Sequence, residues 1–188
     1  MAVKKLQGMS LEEFLAWEAQ QDVRYELVDC QAVMMAGGSQ AHSLIAANIV
    51  SALRGMLRGS PCRPGGSDLR IPIPTTGNSR YPDATIDCGE YRPDALDASE
   101  PAIVFEVLSR TTGWYDQTRK LRDYDSIPSV RQYVCVSQDE VRVSCWLRDE
   151  RGNLVQQDDT TDPAGEILLS GFVSSLQVSS IYEGTGLV

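Results

Sequence analysis

Histidine, lysine and long apolar runs are scarce in this chain of 188 residues. Because His42 is its one histidine, a zinc site built from histidine and cysteine is not expected. The longest apolar stretches are far shorter than the roughly 18 residues of a membrane-spanning helix. Lys4 and Lys5 are followed by acids rather than by the apolar segment of a secretory signal. We therefore expect neither a membrane partner nor secretion.

The cysteines number five, which is odd, and no two of them have the spacing of a metal-ligand motif. The simplest interpretation is a set of reduced and mostly buried thiols, as is usual in the cytoplasm. The sequence therefore predicts a cytoplasmic protein without disulfides, in which the free thiols are Cys30, Cys62, Cys88, Cys135 and Cys145.

The chain is acidic, with a formal net charge of -9 from 26 acidic and 17 basic residues. This balance argues against a protein that coats nucleic acid through bulk positive charge. The charges are unevenly placed, because residues 136–188 hold 9 acidic and 3 basic residues, whereas residues 110–131 hold 5 basic and 3 acidic ones. An anionic partner is therefore expected to dock only locally, near residues 110–131.

Hydrophobic periodicity and turn residues predict a single mixed α/β domain over residues 1–188. Its N-terminal part, residues 10–36, is expected to be a helix over 11–21 followed by a hairpin that turns at Asp29 and Cys30. The core spans about residues 40–137, and residues 141–188 add a C-terminal β extension. Within the core the pattern predicts helices over residues 40–57 and 111–126, and strands over residues 67–73, 81–87, 102–108 and 131–136.

Glu106 is the one acid in the apolar run AIVFEVL, which is typical of a strand buried on both faces. A carboxylate in such a strand is costly unless it is paired or binds a metal. An edge position or an arginine partner would explain Glu106 equally well.

Lys120 is the one lysine beyond the N-terminal pair in a chain that otherwise uses arginine. This preference indicates a site that needs a compact ammonium able to lose its proton. A spacing of four residues places Lys120 on one helix face with Asp116 and Tyr124. The alternative is a surface ion pair between Lys120 and Asp116, and Tyr124 itself is expected to pack in the core.

Asp83 follows Pro82 at the start of a predicted strand and precedes Glu106 by 23 residues. Two carboxylates on neighbouring strands can hold Mg²⁺ or Mn²⁺ through oxygen. Such a cation polarises a phosphate and lowers the pKa of an attacking water, and a lysine can orient that water or stabilise developing negative charge. Asp83, Glu106 and Lys120 are therefore the candidate catalytic residues of a metal-dependent phosphodiesterase.

The chain resembles the Uma-type family of proposed restriction endonucleases, within the PD-(D/E)XK nuclease superfamily. The similar segments are YPD at 81–83, FEVLS at 105–109, the spaced set Asp116, Lys120 and Tyr124, and VRQY at 130–133. SLEEFL at 10–15, YELVD at 25–29 and His42 are similar as well, so the resemblance covers about residues 8–150. It implies a restriction-endonuclease-like core, in which a mixed four-stranded sheet is flanked by helices.

The resemblance also implies a set of metal ligands, which are Asp83, Glu106 and the carbonyl of Val107. The superfamily lysine would stand at Leu108, and in this family its role has moved to the following helix, where Lys120 matches. Departures from the family pattern are Cys30 in the hairpin turn, where glycine is common, and Ser137, where aspartate often ends the strand.

His42 and Glu26 each allow two interpretations. A cap-region or structural role is favoured for His42, and an auxiliary role near the metal or the phosphate is the alternative. A solvated or paired acid is the default for Glu26, which could instead lie at the mouth of the site.

The favoured function is a Mg²⁺-dependent endonuclease that acts on DNA, with RNA as the alternative substrate, and a homodimer would allow it to cut both strands. The alternative is a nuclease-fold protein that no longer cuts and serves in nucleic-acid binding or assembly. The acidic total charge favours the alternative, whereas the intact set of Asp83, Glu106 and Lys120 favours catalysis.

Overall fold

The computed structural model describes residues 8–108 and 113–188, without the side chains of residues 114–116. None of the helices in this described part has the length and apolarity that crossing a membrane requires. The helices are α1 (Leu11–Glu18), α2 (Gln40–Met56), α3 (Gly113–Asp125) and α4 (Val178–Ile181). The strands are β1 (Tyr25–Val28), β2 (Gln31–Met34), β3 (Arg63–Gly66), β4 (Ile71–Ile73), β5 (Asn78–Arg80), β6 (Ala84–Asp87), β7 (Pro101–Leu108), β8 (Gln132–Ser137), β9 (Val143–Arg148), β10 (Leu154–Gln156), β11 (Glu166–Leu168) and β12 (Ser175–Gln177).

A mixed sheet in the order β10-β9-β8-β7-β6-β3 forms the centre of the molecule. Its β7 and β8 run parallel, and its other neighbours pair antiparallel. Side chains of β7 alternate between two layers, because Phe105 packs in the cluster that contains Ile49 of α2, whereas Val104 packs with Tyr124 of α3. The helices α2 and α3 therefore cover opposite faces of the sheet, and Glu106 belongs to the face of α3.

The predicted fold class is confirmed, and so is the burial of β7 on both faces. The central sheet is larger than expected, because the described residues give it six strands rather than four. The C-terminal extension supplies part of the difference, since β9 and β10 continue the central sheet. The small sheet of β11 and β12 and the helix α4 complete the extension, and α4 packs against α2.

The predicted N-terminal hairpin is part of a second sheet, in the order β2-β1-β5-β4. Its strands β1 and β2 pair around Asp29 and Cys30, whose φ angles are 48° and 65°. Positive φ at both central residues is the mark of a type I′ turn, which matches the twist of a two-residue hairpin. Cys30 thus adopts the left-handed conformation that glycine reaches most readily.

The predicted strand over residues 67–73 is wrong in its first half, because residues 67 and 68 form a turn and β4 begins only at Ile71. The strand β3 was not predicted, since its sequence RPGG consists mostly of residues that are depleted in strands. RPGG can nevertheless form a strand because β3 lies at the edge of the central sheet. At an edge, the missing N–H of Pro64 does not break a central ladder.

The expectation of five free thiols is wrong, because Cys62 and Cys88 form a disulfide. The two cysteines flank β3 and β6, and these strands pair with Arg63 opposite Asp87. The pairing of the strands therefore brings Cys62 and Cys88 together across 26 positions of sequence. The predicted cytoplasmic location loses the support that a fully reduced set of thiols gave it.

Thiol titration tests this disulfide directly. We expect the denatured protein to show three reactive thiols without reductant, those of Cys30, Cys135 and Cys145, and five after reduction. Reduction of the disulfide opens a loop whose ends are 26 positions apart. It should lower the free energy of unfolding by about 3 to 4 kcal/mol, because the unfolded chain regains entropy. Five reactive thiols without reductant would contradict the disulfide.

Candidate active site

Pro82 ends the pairing of β6 with β7 and thereby shapes the backbone beside Asp83. The last paired residues are Ala84 and Phe105, so a continued ladder would bring Pro82 opposite Val107. A proline has no N–H to donate to the Val107 carbonyl, and the Val107 N–H donates instead to Oδ2 of Asp83 at 2.7 Å. Because the N–H and C=O of one strand residue point to the same side, the Val107 carbonyl is directed toward the side of Asp83.

Glu106 projects from the middle of β7 toward α3 and is only 3% exposed. Its Oε2 accepts a hydrogen bond from Nζ of Lys120 at 2.8 Å, and its Oε1 accepts one from the hydroxyl of Tyr124 at 2.7 Å. Burial raises the pKa of the Glu106 carboxyl to about 7, against the opposing effect of the Lys120 ammonium, and the charge of Asp83 contributes to the rise. Neither an edge position nor an arginine partner accounts for Glu106.

Lys120 is held between two carboxylates. Besides Glu106, Oε1 of Glu26 lies 3.6 Å from its Nζ, and its side chain is 16% exposed. Burial by itself lowers the pKa of Lys120, but the charges of Glu106 and Glu26 outweigh burial and raise it, so the ammonium is charged. Lys120 is therefore not a surface lysine, and the side chain of Asp116 lies outside the described residues.

Arg80 is a buried arginine that the sequence did not indicate as part of the site. It pairs with Glu26, the acid that also lies near Lys120. Its guanidinium forms ion pairs with Glu26 at 3.0 Å and with Asp123 of α3 at 2.7 Å. Glu26 also accepts a hydrogen bond from the backbone N–H of Tyr81 at 3.1 Å. Glu26 is thus a paired acid in the cavity wall, and its bond to Tyr81 helps to fix the short segment that carries Asp83.

His42 makes one contact through its backbone and another through its imidazole. Its backbone N–H donates to the hydroxyl of Ser39, the capping residue of α2, at 3.1 Å. Its Nε2 lies 3.3 Å from Oδ1 of Asp83, and this contact raises the pKa of His42 although burial opposes the rise. Gly38 permits the approach, because a Cβ there would lie 2.7 Å from Nδ1 of the imidazole. The position in the first turn of α2 was foreseen, and the contact with Asp83 was not.

The predicted catalytic residues Asp83, Glu106 and Lys120 line one cavity of about 440 Å³, together with Glu26 and His42. The strand β2 and the residues that follow it give this cavity an apolar wall. In the described part of the chain, no cluster of three or more His, Cys, Asp or Glu side chains is arranged to hold a metal. A cation in this cavity would therefore draw on two carboxylates and on backbone oxygen. The apolar wall consists of Val33, Met34, Met35 and Ala36.

Two contributions to the site were missed by sequence analysis, for different reasons. The hydroxyl of Tyr124 was assigned to the core, although the spacing from Lys120 already placed both residues on one helix face. Arg80 left a weaker signal, namely its position directly before the YPD segment in a polar strand. The structure shows that this arginine is buried, with ion pairs to Glu26 of β1 and Asp123 of α3.

The chain is similar to known proteins over most of its length. The family model Uma2, described as "Putative restriction endonuclease", matches residues 11–179. The uncharacterized protein slr1290 of Synechocystis sp. is 33% identical over 94% of this chain and 92% of its own length, and sll1609 of the same organism is 26% identical over 79% and 85%. A crystal structure of a putative nuclease of the DUF820 group from Anabaena variabilis superposes with a TM-score of 0.72 at 16% identity, covering 93% of this chain and 97% of that one.

Proposed function

The chain belongs to the Uma2 family, and from this premise we propose that it is a divalent-metal-dependent endonuclease that hydrolyses phosphodiester bonds, preferentially in DNA. The observation that carries the proposal is the meeting of Asp83, Glu106 and Lys120 in one cavity. The apolar wall of the same cavity could contact the sugar or base of a nucleotide whose phosphate faces the charged residues.

The balance of charge supports a cation in this site. Among the described residues, the ion-pair network around Glu26 and Glu106 joins four carboxylates to two fixed cations, and His42 adds a third positive charge only when it is protonated. Arg119, which also lines the cavity, is paired with Asp29 outside this network and does not change the excess. Buried carboxylates in excess are unstable unless a cation or a proton compensates them. A divalent ion beside Asp83 and Glu106 would offset the excess. The carboxylates are Glu26, Asp83, Glu106 and Asp123, and the fixed cations are Arg80 and Lys120.

The donor atoms fit a hard cation such as Mg²⁺ or Mn²⁺. In the proposal Asp83, Glu106 and the Val107 carbonyl are its ligands, and all three offer oxygen, which such ions prefer. The bonds from Lys120 and Tyr124 to Glu106 leave capacity, because a carboxylate has about four lone-pair sites. When bound, the ion supplies polarisation of the phosphate and a lowered pKa of bound water.

The other residues of the site act on charge and position in this proposal. Lys120 stabilises the negative charge that develops on the phosphate, and it also holds Oε2 of Glu106 in place. Tyr124 fixes the second oxygen of the same carboxylate. His42 orients Asp83 through its contact with Oδ1, while the Val107 N–H holds Oδ2.

A cleavage assay tests the proposal. We expect supercoiled plasmid DNA to be nicked or linearised in the presence of Mg²⁺ or Mn²⁺ and to stay intact when a chelator is added, because the reaction needs the cation. Single-stranded RNA of similar length serves as the comparison substrate and should be cleaved more slowly. Plasmid cleavage that persists in excess chelator would contradict metal dependence, and cleavage of neither substrate would contradict the nuclease proposal.

A second candidate function is a nuclease-fold protein that binds without cutting. The net charge of -9 favours it, because such a chain gains little from long-range attraction to nucleic acid. Binding of DNA without cleavage in the same assay would support this candidate.

We propose a homodimer for the active enzyme, since cutting both strands requires two active sites or two encounters. Sedimentation would measure the mass of the assembly.

A further inference from the structure

A second cavity, of about 530 Å³, adjoins the candidate active site. Arg80 and Arg119 line both cavities, so one strand of polymer could reach from one into the other. Each lining side chain is polar, which suits a polar ligand rather than an apolar one. On α3 the lining residues Arg119 and Arg122 are three positions apart and therefore lie on one helix face, and Ser126 follows the end of the helix.

The acids of this cavity already have cationic partners. Asp29 pairs with Arg119 at 2.7 Å, Asp123 pairs with Arg80 at 2.7 Å, and Asp125 pairs at 3.3 Å with an arginine outside the lining. A metal ion would have to displace these arginines to bind here. The cavity is therefore better suited to an anion than to a cation.

Two hydrogen-bond donors in the lining have no acceptor among the described residues. Within the described residues, the exposed guanidinium of Arg122 forms no ion pair or hydrogen bond. The hydroxyl of Thr76, which lies between β4 and β5, is buried and likewise has no partner in the described part of the chain. Phosphate oxygens accept hydrogen bonds from guanidinium and hydroxyl groups, and the planar fork of arginine matches a phosphate especially well. The Thr76 hydroxyl is enclosed by protein atoms, so it would reach a phosphate only after its side chain rotates toward the cavity.

We propose that this second cavity binds a phosphodiester of the substrate strand other than the one that is cleaved, with Arg122 as its cation and the Thr76 hydroxyl as a further donor. The proposal rests on the proposed nuclease function and names a subsite for its substrate. Since the chain is acidic overall, such a local contact would supply affinity that the net charge does not. The strand would pass Arg119 on its way between the cavities.

Equilibrium binding of a labelled single-stranded DNA of about twelve nucleotides tests the subsite, with chelator present so that no cleavage occurs. Arg122→Gln is compared with wild type and with Arg151→Gln, a matched change at an exposed arginine of the turn between β9 and β10. We expect Arg122→Gln to weaken binding about 10-fold and to reduce the slope of log affinity against log salt by about 0.7, the value for one lost phosphate contact. Arg151→Gln should leave both quantities unchanged.

The outcomes separate the subsite from the proposed function. If wild type cleaves plasmid but Arg122→Gln binds the strand with wild-type affinity and salt dependence, the subsite is wrong and the nuclease proposal stands. If wild type neither cleaves nor binds nucleic acid, both proposals fail. Titration with inorganic phosphate distinguishes the source of the ligand, because saturation by phosphate that requires Arg122, with strand binding unaffected, would assign the cavity to a free oxyanion and overturn the proposal.

Discussion

Asp83→Asn is expected to reduce metal-dependent cleavage on the order of 1000-fold or more, because it removes a charged ligand of the proposed cation. The fold should survive, since the amide oxygen of asparagine can still accept the hydrogen bond from the Val107 N–H. The amide carries no charge, so it binds Mg²⁺ or Mn²⁺ less strongly than the carboxylate does. Affinity for the cation and the rate of cleavage should therefore fall together.

Three measurements check this expectation. Plasmid cleavage gives the rate, electron paramagnetic resonance of Mn²⁺ gives the metal affinity, and thermal unfolding reports on the fold. Asp158→Asn is the matched control, because it makes the same change of charge at an exposed aspartate outside the cavity. Wild-type Mn²⁺ affinity in a folded Asp83→Asn protein would show that Asp83 is not a ligand. Loss of cleavage in Asp158→Asn as well would show an effect of net charge alone.

The sequence was informative about the fold wherever one element carried its own pattern. The apolar run around Glu106 predicted β7 as a strand buried on both faces, and β7 is buried in this way because α2 and α3 cover opposite faces of the sheet. The helix α2 was predicted almost to its ends, since its apolar positions recur at helical spacing. Local sequence patterns do not indicate which distant segments of the chain pair with each other. The joining of the hairpin to β5 and the disulfide between Cys62 and Cys88 were therefore not foreseen.

The same distinction applies to the candidate site. Each of Asp83, Glu106 and Lys120 had a local signal, namely a strand start after proline, an acid in an apolar run and an isolated lysine. The structure brings them to one cavity because Glu106 projects toward α3 and Lys120 projects back from it. Arg80 had no comparable signal, because an arginine in a short polar strand is usually exposed. Its burial depends on acids from β1 and α3, which are far apart in sequence.

Lys120 compensates the charge of buried acids and is also proposed to act in the reaction, so a substitution can affect both folding and cleavage. Its ammonium offsets the charge of the buried Glu106, and it lies within reach of Glu26 as well. Lys120→Met removes this cation and should lower the free energy of unfolding by about 3 kcal/mol or more, since a buried acid is left without its partner. Loss of activity in such a variant would mix folding with chemistry. Arginine keeps the charge beside Glu106 and is therefore the sharper test.

Lys120→Arg is expected to stay folded and to lose on the order of 100-fold in cleavage rate, and Lys120→Ala at least as much. A guanidinium is larger and planar and spreads its charge over three nitrogens, so it cannot place a compact charge between Glu106 and Glu26. Cleavage rates and unfolding temperatures of the purified proteins check this, with Arg151→Lys as the reverse exchange at an exposed site. Near wild-type cleavage by Lys120→Arg would show that any cation suffices beside Glu106, and Lys120 would then be a structural partner of that acid rather than part of the chemistry.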